Sequence, residues 1–295
     1  MRRPLAAVLI AASVGCAPPA APAVAASPLP QAMPGESRII LDGLAVQGGI
    51  VRGRLPAGAS GLTLTSGGGE AVAVPVAPDG AFVLGFDRDA APDGLLVARL
   101  ASRELRLPIA VAPRAWRIER IDAPLRAGRT TAEFDALRPI ELAEIAAARV
   151  PEPTRADPGG WRAPLGWPGR GRISGLFGAQ RVYQGVPGSY HSGIDLALPA
   201  GTPVFAPADG IVTLAADRPF TLEGRLLLVD HGGGLESAFL HLSAIDVRVG
   251  DRVRRGQPIG RVGATGRATG PHLHWGLRWQ GARLDPLLAA EARPG

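Results

Sequence analysis

Along most of the chain, hydrophobic and polar residues alternate in short runs broken by Pro, Gly and Asp, the pattern of half-buried β-strands. Between residues 37 and 111 the runs "RIIL", "LTLT", "AVAVPV", "AFVLGF", "LLVARL" and "LRLPIAV" follow one another. In the last, Leu105, Leu107, Ile109 and Val111 share one parity, so one side of that strand faces a core. Strands spaced this regularly predict a small antiparallel β-sandwich, immunoglobulin-like, over residues 27–115. That region holds no histidine, so a spacer or binding role is expected of it rather than catalysis.

The period changes once. Within residues 131–150, "TAEFDALRPIELAEIAAARV", Ile140, Ala143, Ala147 and Val150 recur at helical spacing, and Pro139 suits a first turn. This predicts a helix over about 136–149, set in a linker of residues 116–170 that ends in the Pro- and Gly-rich "PEPTRADPGGWRAPLGWPGRGR". A second β-rich region follows over residues 171–290, with "GIVTLAA", "RLLLVDH", "LESAFLHL" and "PHLHWGLRW" as its clearest strands. The expected fold class is mainly β: a sandwich, one linker helix and an antiparallel β-sheet domain.

The first 26 residues stand apart. Arg2 and Arg3 precede a short apolar run, Leu5 to Val14, and Ala23-Val24-Ala25 offers a small-x-small cleavage site, so a secretory signal peptide and export to the periplasm are expected. The single cysteine, Cys16, allows no intramolecular disulfide. "SVGC" partly matches a lipobox; lipidation of Cys16 would anchor the chain to a membrane, while soluble export is the preferred reading. The net charge is +6, with every basic residue an Arg, and no Arg-rich run is interleaved with aromatics. Nucleic acid is therefore not an expected partner.

The chemistry concentrates in the second β region, which holds all five histidines. In "HLHWGLRW" strand alternation puts His272, His274 and Gly276 on one side, and Leu273, Trp275, Leu277 and Trp279 on the other. Two imidazoles displayed together are metal ligands, or a ligand beside a catalytic base. In "YHSGIDLALPAGTPV", His191, Gly193 and Asp195 share a parity. Two donors on one zinc lie about 3–3.5 Å apart, whereas a straight strand separates residues four apart by about 13 Å. The chain must bend between His191 and Asp195, and Gly193 is where it can. In "LESAFLHLSAIDV", Leu235, Ser237, Phe239 and His241 share a parity, and His241 alone reads as an ordinary strand histidine. Together, His-x-x-x-Asp, a strand His and His-x-His supply a metal's donors with imidazoles left for acid–base work. His231, beside "GGG", reads as a structural turn residue.

The blocks "HSGIDLALPAGTPVFAPADGIV", "LLLVDHGGGLESAFLHLS", "VGDRVRRGQPIGRVGATGRATGPHLHWGL" and "LDPL" resemble the lysostaphin-type zinc metallopeptidases, the bacterial cell-wall endopeptidases. "GRISGLFGAQRVYQG" resembles the lead-in of a Gram-negative, periplasmic branch. The resemblance implies Zn2+ held by His191, Asp195 and His274, with His241 and His272 as the catalytic pair. It also implies peptidoglycan peptide stems as substrate. Tyr190, which precedes the metal His where the sequence departs from the family pattern, could hydrogen-bond substrate or serve in packing or at the surface. Two other readings stay open: a non-enzymatic relative that activates cell-wall amidases, and a wall-binding protein with a vestigial metal site. A regulatory partner that uncovers the groove is a further expectation.

Overall fold

The computed structural model describes residues 38–124, 131–152 and 154–293. The expected signal peptide and Cys16 lie outside the described residues. Among those described, no helix is long and apolar enough to cross a membrane.

The N-terminal strands form two small antiparallel sheets. Ile40–Asp42, Ile50–Arg54 and Ala81–Gly85 make one. Val72–Ala73, Ala59–Ser66, Asp93–Leu100 and Arg103–Ala110 make the other, in that order. Val51, Leu62, Phe82, Leu84, Leu96 and Ile109 are buried in this part of the core. Apolar residues placed at alternate strand positions leave water together here, which favours the sheets without any unusual residue.

The C-terminal domain is built on an antiparallel sheet. Its strands run Arg252–Val253, Gly210–Ala215, Arg225–Asp230, Leu235–Leu242, Leu273–Trp279, Gly193–Ala197 and Arg172–Gly175, neighbour by neighbour. Ala282–Leu284 returns from a tight turn to pair with Leu273–Trp279. In the central strand Leu273, Trp275, Leu277 and Trp279 are all buried, as their shared parity predicts.

The two β regions share one continuous apolar core rather than being strung on a flexible tether. The strand Ala81–Gly85 rests on the Leu273–Leu284 hairpin so closely that a Cβ at Gly85 would lie 2.6 Å from the Trp279 Cβ. Arg88 donates to the Gly178 carbonyl and to Gln180, and Arg114 pairs with the buried Asp285 at 2.8 Å. The linker also contributes a strand: Ile118–Ile121 pairs in parallel with Gln180–Tyr183.

The linker helix differs from its expected form. It spans Ala132–Ala148, and Thr131 caps it by accepting from the Phe134 N–H. Pro139 therefore sits inside the helix rather than in its first turn. The buried residues are Glu141 and Ile145, while Ile140 is half exposed, so the face marked by apolar spacing is not the one that docks. The physical reason is polar. Glu141 accepts from the Thr221 N–H and hydroxyl, both at 2.6 Å, and is paired with Arg138. That bonding offsets the cost of burying a carboxylate.

Candidate metal and catalytic site

Three donors converge where the strand Gly193–Ala197 pairs with Leu273–Trp279. Asp195 lies opposite His274 in register. His191 precedes its strand, so the chain turns it back over Asp195 instead of carrying it 13 Å away. The His191 Nε2 lies 3.0 Å from Asp195 Oδ1 and 3.0 Å from His274 Nδ1. His274 Nδ1 is 2.9 Å from the same carboxylate oxygen.

Glycines make this approach feasible. A Cβ at Gly193 would lie 2.7 Å from His274 Nε2, and one at Gly175 would overlap the Asp195 carboxylate and sit 3.0 Å from His191 Cε1. Gly193 thus serves close packing across the strand pair, in addition to any bend.

The donor set suits a cation. His191 donates its Nδ1–H to the Leu176 carbonyl at 3.0 Å, which leaves the Nε2 lone pair facing Asp195 and His274. Three acceptors facing one another at about 3 Å repel unless a proton or a metal ion stands between them. Their spacing matches the edge of a coordination polyhedron with bonds of about 2.0–2.1 Å. Burial penalises charging of both His274 and Asp195. For His274 burial prevails and its pKa is lowered; for Asp195 the neighbouring His191 and His274 prevail and hold it well below the carboxylate range.

Two further imidazoles line the same space. His272 donates from Nδ1 to the Gly270 carbonyl at 2.9 Å, which turns its Nε2 toward Asp195 Oδ1, 3.8 Å away. His241 donates from Nδ1 to the Thr265 carbonyl at 2.8 Å, and its ring centroid is 4.9 Å from that of His272. In the neutral form each presents an Nε2 lone pair to the site. Burial lowers the pKa of His241, which favours that form.

His241 reaches the site against its expected parity. Leu235, Ser237 and Phe239 are fully buried on the core side, and simple alternation would send His241 after them. Instead a bulge intervenes: Leu227 pairs with Phe239 and Arg225 with Leu242, so Leu226 alone faces two residues. His241 adopts φ +62°, a left-handed conformation that is strained for a non-glycine residue. Thr265 holds it there. Its carbonyl accepts a hydrogen bond from the imidazole Nδ1–H, and its hydroxyl donates to the Leu242 carbonyl and accepts from the Arg225 N–H.

The remaining candidates fall elsewhere. His231 is fully buried between the Asp209 carbonyl and the Ser237 hydroxyl, which also accepts from the Trp275 indole N–H. This polar chain braces the strands from behind, in keeping with a structural residue. Tyr190 packs edge-on against Phe177, with the Arg88 and Arg283 guanidiniums 4.7 and 5.4 Å from its ring centroid.

The linker helix lies on the face of the sheet that carries His274. Ile145 packs with Leu226, Leu228 and Ala238. Leu142 and Ile145 line a cleft of about 160 Å³ whose floor includes His274, Gly276 and Arg278. Three ion pairs fasten the helix: Arg138 with Glu223 at 2.6 and 2.8 Å, Glu144 with Arg218 at 2.8 and 3.2 Å, and Arg149 with Glu236 at 2.9 Å.

The chain thus carries a His–Asp–His donor set that could hold a metal ion, with two flanking imidazoles, on an antiparallel sheet. The comparisons agree: residues 189–286 match the family model for Peptidase family M23. A Pseudomonas aeruginosa crystal structure assigned to peptidase M23 superposes with a TM-score of 0.61 at 32% identity, covering 84% of this chain and 96% of that one. The chain belongs to peptidase family M23. It is similar to the peptidoglycan DD-endopeptidase ShyA of Vibrio cholerae, 40% identical over 119 residues (40% of this chain, 27% of that protein). It is also similar to the DD-carboxypeptidase/endopeptidase Mpg of Neisseria meningitidis, 43% identical over 104 residues (35% of this chain, 24% of that protein). The matched segments span about a quarter of the length of these two relatives.

Proposed function

We propose that the chain is a zinc-dependent endopeptidase that hydrolyses the peptide cross-links of peptidoglycan in the periplasm. The observation that carries this reading is the convergence of His191, Asp195 and His274 within 3.0 Å of one another, with the imidazoles of His241 and His272 beside them. The peptidoglycan DD-endopeptidase to which the domain is similar supports the substrate class, and export would follow from that substrate.

His191, Asp195 and His274 would hold the metal. Bound there, zinc supplies Lewis acidity, which acidifies a water and polarises a peptide carbonyl. The two remaining histidines do the proton chemistry. One Nε2 takes the proton of the attacking water, and the other, protonated, stabilises the developing oxyanion or delivers a proton to the leaving amine. The carbonyls of Thr265 and Gly270 hold both rings by Nδ1, so each works through the same atom. With a single carboxylate among them, His191, Asp195 and His274 would leave a bound divalent ion a net positive charge.

The test is direct. The mature protein with zinc is incubated with purified cross-linked sacculi, and un-cross-linked muropeptides are followed by mass spectrometry. Release by the unaltered chain and its loss in His272→Ala are expected. Equal, negligible release by both would overturn the enzyme reading in favour of an amidase activator.

A further inference from the structure

The cleft beside the metal ligands leads to an uneven distribution of charge. Its floor is one face of the strand Leu273–Trp279, running from His274 over Gly276 to Arg278. Gly276 carries no side chain, and a Cβ there would meet only ordinary contacts, so the path between the two is open. At its far end Arg278 stands directly opposite Arg283 on the returning strand. Like charges paired across strands destabilise a sheet; Glu236, opposite Arg278 on its other neighbouring strand, and Asp87, which accepts from the Arg283 N–H, offset part of that repulsion. Arg278 forms no ion pair among the described residues; its hydrogen bond goes to the Gly281 carbonyl. Arg283 lies against Tyr190. Arg149 adds a third guanidinium to the lining, and its partner Glu236 is already committed to it. The one carboxylate lining the cleft, Glu223, is bound bidentately by Arg138. Burial, with Arg149 adding to it, outweighs the support that Glu236 and Asp87 give the charge on Arg278, so a further anion from outside would stabilise it.

We infer that Arg278, assisted by Arg283, is a specificity residue that binds a carboxylate of the substrate peptide at the far end of the cleft. The inference rests on the peptidase reading above and names what that site selects. Four residues along a strand place the Arg278 Cα about 13 Å from that of His274. An extended peptide covers this in three to four residues, so the recognised carboxylate belongs to the stem and not to the scissile bond. A planar guanidinium suits the purpose, because it can grip a carboxylate through two parallel hydrogen bonds.

The experiment measures binding without turnover. In the full-length His272→Ala protein, affinity is measured by isothermal titration for two synthetic cross-linked peptides, one with free stem carboxylates and one with those groups amidated. The free acid is expected to bind about 10- to 100-fold more tightly. Arg278→Gln should remove that preference while leaving the affinity for the amidated peptide unchanged, and Arg278→Lys should restore part of it. Equal affinities for the two peptides, or an equal loss of both in Arg278→Gln, would overturn the assignment. Cleavage of either peptide by the unaltered chain is scored in parallel. If neither is cut the peptidase reading fails by itself, while the binding comparison still decides the role of Arg278.

Discussion

The strand Leu273–Trp279 has two faces that obey different rules. One face, Leu273, Trp275, Leu277 and Trp279, is at most 3% exposed and packs into the core that runs through both β regions. The other carries His274, Gly276 and Arg278 and looks onto the cleft. On the first, any well-packed apolar side chain of the right volume would serve. On the second, atom positions within a few tenths of an ångström decide whether three donors share a metal. The faces are nonetheless joined, because the Trp275 indole reaches Ser237 and, through it, His231. The core face thus holds the register that places His274 opposite Asp195.

The largest effects are expected on the cleft face. His274→Ala or Asp195→Ala should abolish stoichiometric zinc, measured by metal analysis after dialysis, and lower peptidase activity by about 10⁴-fold or more. His272→Ala should keep the zinc and still lose about 10²–10³-fold in kcat. Full zinc retention in His274→Ala would sink the division into ligands and acid–base groups. The core face should respond oppositely. Trp275→Ala should cost about 3–5 kcal/mol in denaturant unfolding, with donor chemistry intact in whatever fraction stays folded. A Trp275→Ala protein of unchanged stability would contradict the contrast between the faces.

Much of this division is legible in the chain. The five residues that meet at the site are separated by intervals visible in "HSGID", "FLHLS" and "PHLHW", and strict alternation assigns His274 and Trp275 to opposite sides. What escapes is whatever depends on a local departure from regular geometry. Parity alone sends His241 into the core; a bulge and a left-handed φ bring it back, and neither leaves an apolar pattern to read. Gly193 reads as a bend in the sequence, but the neighbouring strand shows how little room a Cβ would have there. The helix is less legible still. Pro139 marks a first turn, whereas Thr131, eight residues earlier, supplies the cap, and the docked face is led by Glu141, a residue whose burial only its partners Thr221 and Arg138 explain. Arg88 and Arg114, which join the shared apolar core in docking the N-terminal sheets, meet partners far away in sequence, which no local period records.

A smaller effect tests the brace behind the site. Burial lowers the pKa of His231 below its ordinary value of 6.5. The unfolded chain therefore binds a proton near pH 6.5 that the folded chain refuses. Stability from this group is complete above pH 6.5 and is lost as pH falls from there toward the folded-state value, at up to about 1.4 kcal/mol per pH unit. His231→Gln keeps a donor for Asp209 and an acceptor for Ser237 without the titration. Denaturation midpoints measured from pH 7.5 to 5 should fall less steeply in this variant. Parallel curves would show that His231 is not excluded from charging.

The smallest effect concerns what lies over the cleft face. The helix Ala132–Ala148 buries only Ile145 among its apolar residues, and much of its attachment is electrostatic. The Glu144–Arg218 pair is more than a third exposed on both sides, and pairs of that kind contribute about 0.2–1 kcal/mol. Glu144→Ala should therefore shift the helix toward an undocked state by a few-fold at most, widening the cleft beside His274. The expected outcome is a several-fold rise in kcat/KM on cross-linked sacculi, with no change in zinc content or in the unfolding midpoint of the sheet. Added salt should raise the activity of the unaltered chain and barely affect the variant, because screening weakens the same pair. If Glu144→Ala leaves kcat/KM unchanged at low salt, the helix is part of the cleft wall and not a cover over it. The cleft face would then be as fixed as the core face behind it.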